Sequence, residues 1–64
     1  MSKLWNAINN AGMSKQKFAE MVKMPYYRVA TVLYGEDELL PEEEKKIGAT
    51  FGLDIFLPQT TQNV

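Results

Sequence analysis

Leu4, Ile8 and Ala11, with Trp5 beside them, recur at the i, i+4, i+7 spacing that lines side chains along one side of an α-helix. Ser2 fits the N-cap of that helix and Gly12 its stop. A second stripe follows in Phe18, Met21 and Val22, with Ser14 as its cap and Ala19 as a flat spot among bulkier neighbours. Pro25 ends this helix, because its ring clashes with the preceding turn and its nitrogen has no hydrogen to donate. Proline suits a first helical position, so a third helix from about Pro25 to Tyr34 starts after almost no linker and stops at Gly35. Its inner face is Val29, Val32 and Leu33, which leaves Tyr26, Tyr27, Arg28 and Thr31 pointing elsewhere. After an acidic loop, Glu36-Asp37-Glu38, a fourth helix begins at Pro41. Glu42, Glu43 and Glu44 in its first turn complement the positive end of the helix dipole. Ile47 and Phe51 form its buried stripe and Gly52 ends it. Leu53 to Leu57 is short, apolar and compatible with β structure, and Pro58 stops it.

The predicted fold is therefore all-α, a compact domain of four to five helices with a short C-terminal strand or arm. It spans residues 1–57, with 58–64 as a polar, flexible tail. A chain of 64 residues cannot be divided further, since either half would be too small to bury a core. The apolar share of 45% and aromatic share of 11% are those of a folded globule, so disorder is a poor reading. The chain has neither cysteine nor histidine, which removes disulfides, thiolate chemistry, the usual zinc ligands and the commonest general base. Three consecutive carboxylates at Glu42, Glu43 and Glu44 point around a helix rather than converging. No enzyme, cofactor, metal or small-molecule substrate is expected. No apolar run approaches the roughly 20 residues that span a bilayer, and the first residues lack the apolar stretch of a signal peptide. No membrane partner and a cytoplasmic location are expected.

A net charge of −1 argues at first against a nucleic-acid partner, but the charges are unevenly placed. Through Gly35, Lys3, Lys15, Lys17, Lys23 and Arg28 face Glu20 alone, a balance of +4. From Glu36 onward, Lys45 and Lys46 face Glu36, Asp37, Glu38, Glu42, Glu43, Glu44 and Asp54, a balance of −5. One face of a protein touches DNA, so the first half can supply that face and the second half cannot be most of it.

Two helices joined by a tight turn must approach closely where they cross, and Ala19 supplies the small residue that this contact needs. Val29, six residues beyond Lys23, is a β-branched wedge, with Val32 one turn further, and Phe18 and Met24 close the small core. The segment Met13-Ser14-Lys15-Gln16-Lys17-Phe18-Ala19-Glu20-Met21-Val22 resembles the second helix of the lambda-repressor-like (Cro/C1, XRE) helix-turn-helix family, whose signature runs Leu-Ser-Gln-x-x-Leu-Ala. Met24 through Gly35 is similar to its recognition helix and closing glycine. Pro41 through Leu53 looks like its following helix, and Leu4 to Gly12 like its first. The resemblance covers about residues 3 to 54. Four positions depart from it. Lys23 stands where the turn usually has glycine, Leu33 and Tyr34 replace a commoner Glu-Asn pair, and Glu36 sits where a basic residue often meets phosphate.

The resemblance implies a phage-type repressor or Cro-like regulator of transcription whose third helix enters the major groove of double-stranded DNA. Tyr26, Tyr27 and Thr31 would then reach base edges. Arg28 would serve a guanine or a phosphate, with pairing to a nearby acid as its structural alternative. Ser14, Lys15, Gln16 and Lys17 would anchor backbone phosphates at the start of the second helix, where free amides and the dipole favour an anion. The alternative for either tyrosine is a partly buried core ring, and for Lys15 and Lys17 a solvated surface charge. Trp5 reads as core or interface and the methionines as gap-filling core.

A domain with so few cations would bind weakly alone, and the family pairs two recognition helices on half-sites of a palindromic operator about 34 Å apart. The expected homodimer element is Leu53 to Leu57, with Ile55, Phe56 and Leu57 pairing as a strand or lying on the partner as an arm. The competing reading has this segment fold back over its own core. The acidic second half supports a function of another class, a helix-turn-helix protein-interaction module such as an antirepressor or adaptor.

Overall fold

The structure, a computed structural model, describes residues 3–58. Four α-helices and a closing 3-10 turn follow one another: α1 (Lys3–Ala11), α2 (Lys15–Val22), α3 (Tyr26–Leu33), α4 (Pro41–Phe51) and the turn Leu53–Phe56. The domain is all-α, as the stripes predict, and no strand occurs among the described residues. The expected C-terminal strand is replaced by the 3-10 turn, and Ser2, the expected cap of α1, lies outside the described residues.

Each helix ends where local chemistry ends it. The Ser14 hydroxyl accepts from the Lys17 amide at 3.1 Å and opens α2. Pro25 is the N-cap of α3 rather than its first residue, with extended φ −62° and ψ 142°, and its carbonyl accepts from the amides of Arg28 and Val29. Gly35 (φ +81°) closes α3: its amide donates to Val32 and the Glu36 amide donates to Thr31, a pairing that needs the left-handed backbone glycine adopts freely. At the start of α4 the Leu40 amide donates to Glu43 Oε1 at 2.8 Å, and the Glu43 amide returns a bond to the Leu40 carbonyl.

The helices enclose one core: Leu4, Ala7 and Ile8 of α1; Phe18, Ala19 and Val22 of α2; Met24; Val29 and Val32 of α3; and Ile47 of α4. Phe18 stacks on the half-buried Phe51 with ring centres 5.5 Å apart. Met21, expected in the core, and Trp5, expected in core or interface, lie at the surface. Met21 is 43% and Trp5 39% exposed, because Ala7 and Val22 take the inward places beside them.

The 3-10 turn is strapped to α1. The Asn10 side-chain amide donates to the carbonyls of Ile55 (2.8 Å) and Leu57 (2.7 Å), and Asn6 reaches Phe56 at 3.4 Å. Ile55 and Phe56 are half-buried against the protein's own core, while Leu53 and Leu57 stay exposed. Ile55 and Phe56, expected at a dimer contact, therefore cover their own domain. Asn10 and Asn6 hold the segment there through its carbonyls. No helix among the described residues is long and apolar enough to cross a membrane.

Candidate nucleic-acid interface

The joint between α2 and α3 is built on a lysine. Lys23 has φ 61° and ψ 43°, the left-handed region, and is the only described non-glycine residue with positive φ. Its amide donates to Glu20 at 3.2 Å and the next amide, of Met24, donates to Ala19 at 2.9 Å. These two bonds terminate α2 as a glycine would terminate it, and the buried Met24 seals the end against the core. The Lys46 ammonium, 3.4 Å from the Lys23 carbonyl, adds a donor from α4. The chain then leaves through Pro25 directly into α3. Ala19, 2% exposed, and Val29, fully buried, both lie in the core that the packed helices α2 and α3 share.

This joint sets which side of α3 faces out. With Val29 and Val32 inward, Tyr26, Tyr27 and Tyr34 are 48%, 67% and 70% exposed, with Ala30 and Thr31 half-buried among them. Tyr27, Thr31 and Tyr34 fall at i, i+4, i+7, one outward stripe. Neither tyrosine of the first turn packs as a core ring. The Thr31 hydroxyl donates to the Tyr27 carbonyl at 2.7 Å, so it is spent within the helix. Tyr34 belongs to this face although sequence reasoning left it out; its place one turn beyond Thr31 was the available signal.

Arg28 does not join the stripe. Its guanidinium holds Glu43 through two parallel bonds, Nε to Oε2 and Nη2 to Oε1, both 2.8 Å. Nη1 donates to Asp37 at 2.7 Å, and Nη2 also reaches the Glu38 carbonyl at 3.2 Å. The expectation that Arg28 meets a guanine or a phosphate is corrected: every nitrogen of the group is engaged inside the protein. The physical cause lies in α4, whose buried Glu43 (8% exposed) needs a cation and finds one on the flank of α3. Hydrogen bonds from Arg28 hold the Glu43 carboxyl below the usual carboxylate range, although burial pushes it upward and the Leu40 amide helps to lower it. Asp37 is lowered too, first by the Glu38 amide and then by Arg28. Arg28 is raised by the same two carboxylates, Glu43 before Asp37.

The start of α2 is the other part of the face. Ser14 caps the helix, so its hydroxyl serves the Lys17 amide. The amides of Lys15 and Gln16 have no acceptor within the helix and mark its positive end. Lys15, Lys17 and Lys23 form no ion pair among the described residues, whereas Lys3 pairs loosely with Glu44 at 3.4 Å. The carboxylates of α4 diverge, Glu43 to Arg28 and Glu44 to Lys3, and no described group of three His, Cys, Asp or Glu is placed to hold a metal ion.

The joint at Lys23 thus connects an uncharged, exposed stripe on α3 to a helix, α2, whose start carries Lys15 and Lys17. No protein-family model, curated protein or solved structure matches the chain.

Proposed function

We propose that this chain is a sequence-specific regulator of transcription that binds double-stranded DNA by laying α3 in the major groove. The observation that carries the reading is the closed turn at Lys23, which sets α3 against Ala19 and turns Tyr26, Tyr27 and Thr31 away from the core. A helix held this way on the surface of a small domain fits the roughly 12 Å width of the major groove. Tyr26, Tyr27, Thr31 and Tyr34 meet base edges. Lys15, Gln16 and Lys17, with the free amides beside them, hold the phosphates. Arg28 fixes α3 to α4 instead of reading a base. The chain acts in the cytoplasm as a homodimer on a palindromic operator, through the exposed Leu53 and Leu57 rather than through Ile55 and Phe56. The resemblance of residues 3 to 54 to the lambda-repressor-like pattern, a likeness of motif and spacing, points the same way.

A second reading has one observation in its favour. The outward stripe of α3 carries three tyrosines and no charge, which also suits a protein partner, as in an antirepressor or adaptor. One experiment separates them: selection of duplexes from a random pool, with affinity measured between 50 and 200 mM salt. Phosphate contacts from Lys15 and Lys17 in both subunits give a slope of log K on log salt near about −4, a loss of about a hundredfold across that range. A palindromic motif with this slope is the expected result. Recovery of no motif and no salt-dependent binding would leave the protein-interaction reading standing.

A further inference from the structure

Resting on the DNA-binding reading, we infer that α3 recognises the C5-methyl groups of thymine, so that its target carries A·T pairs where Tyr27, Ala30, Thr31 and Tyr34 meet the groove. In the major groove a guanine is read by a bidentate arginine or lysine and an adenine by a bidentate asparagine or glutamine. The outward stripe of α3 contains none of the four. The one cation of α3, Arg28, lies off the stripe and is committed to Glu43, Asp37 and the Glu38 carbonyl. The stripe instead presents methyl groups and rings. The Thr31 hydroxyl is tied to the Tyr27 carbonyl at 2.7 Å, so the group left to meet a base is the γ-methyl. Ala30 beside it offers only a methyl. Tyr27 and Tyr34, one turn to either side, bracket the pair with exposed rings. Their hydroxyls both donate and accept, and so tell bases apart poorly. Thymine carries the one apolar group on the major-groove edge of the four bases, and an apolar stripe has nothing else there to match. The chemical class of the target is an A·T-rich half-site, read by shape and methyl contact.

The test uses a duplex recovered from the random pool and the intact chain. Each thymidine is replaced in turn by deoxyuridine, which removes only the methyl, and binding is followed by fluorescence anisotropy at fixed salt. Removal of one buried methyl weakens binding about fourfold, so two to four positions per half-site show that loss and the rest show none. At the same positions a 5-methylcytosine duplex binds several-fold tighter than its cytosine counterpart. Thr31→Ser, which keeps the hydroxyl and removes the methyl, loses a similar factor on the thymidine duplex and becomes insensitive to uracil at one position. Circular dichroism confirms that the variant folds. A motif of guanines, or uracil tolerated at every position, overturns the inference while DNA binding stands. Failure to recover any salt-sensitive duplex overturns the DNA-binding reading itself, and the inference with it.

Discussion

Replacing Lys23 by glycine will stabilise the domain, because the backbone there is one that a lysine adopts only at a cost. With φ 61° and ψ 43°, the Lys23 Cβ crowds its own carbonyl, a strain of roughly 1–2 kcal/mol for an L-residue. The side chain is exposed, so removing it opens no cavity. The bonds that close the turn, Lys23 amide to Glu20 and Met24 amide to Ala19, are main-chain and survive, as does the contact from Lys46 to the Lys23 carbonyl. Against the relief stands the freer unfolded chain that glycine creates, about 0.4–1 kcal/mol. The balance is a gain of about 0.5–1 kcal/mol, which for a domain of this size raises Tm by roughly 2–8 °C. Thermal melts followed by circular dichroism, with urea midpoints as a check, read this directly. Lys23→Ala separates backbone from charge: it keeps the Cβ and should stay within about 0.5 kcal/mol of the parent. A Lys23→Gly protein no more stable than the parent would show that the joint is not strained. An equal gain from Lys23→Ala would place the effect in the charge instead.

Four further outcomes follow from the same structure. Ala19→Leu forces bulk between α2 and α3, costs about 1–3 kcal/mol in a urea titration, and weakens binding to the selected duplex because α3 changes its tilt; unchanged stability would remove Ala19 from the crossing. Asn10→Ala frees the carbonyls of Ile55 and Leu57 at a cost of about 1–2 kcal/mol, and hydrogen exchange at the amides of Ile55 and Leu57 quickens while the amides of α2 keep their protection. Glu43 and Asp37 titrate below their ordinary 4.5 and 3.8 in the fold, so their stabilisation is complete above those values and is lost as pH falls through the lowered ones. Urea midpoints for Glu43→Gln should therefore depend less on pH on the acid side than those of the parent, and parallel curves would contradict the assignment. Lys15→Ala and Lys17→Ala should each make the salt slope shallower by about one for every phosphate no longer held, with little change in which sequence is preferred.

The helices were legible because each is punctuated by a residue with one strong local consequence. Ser14, Pro25, Gly35, Pro41 and Gly52 fix the boundaries to within a residue or so, and the stripe Val29, Val32 places the inner face of α3 without any knowledge of the neighbours. What was not legible depended on partners distant in sequence. Arg28 and Glu43 are fifteen positions apart, and nothing in the local pattern says that the middle one of three glutamates turns inward. Its position three residues after Leu40, where a side chain reaches back to the cap amide, was the one available hint. Asn6 and Asn10 lie one turn apart beside the apolar stripe of α1, but their value appears only once Leu53–Phe56 folds beneath them. The β-compatible composition of that segment lost to two side-chain amides, a case of tertiary contacts overriding propensity.

The ion pairs also change how the acidic balance bears on DNA. Read along the chain, the charges divide into a half of +4 and a half of −5, and the second half should repel a phosphate backbone. In the fold Lys3 and Arg28 of the first half are set against Glu44, Asp37 and Glu43 of the second. What remains is Lys15, Lys17 and Lys23 against Glu20, and Lys45 and Lys46 against Glu36, Glu38, Glu42 and Asp54, about +2 and −2. The clasp on Arg28 thus offsets one of the two charges of Asp37 and Glu43 and leaves about −1 there. Long-range attraction is correspondingly small, since exposed charges farther apart than about 8 Å are screened at physiological salt. A domain with so weak a field cannot gain its selectivity from charge. On the proposed DNA-binding reading, selectivity then rests on the fit of the α3 surface and on two such surfaces acting together, so that pairing of subunits and the uncharged stripe stand or fall together.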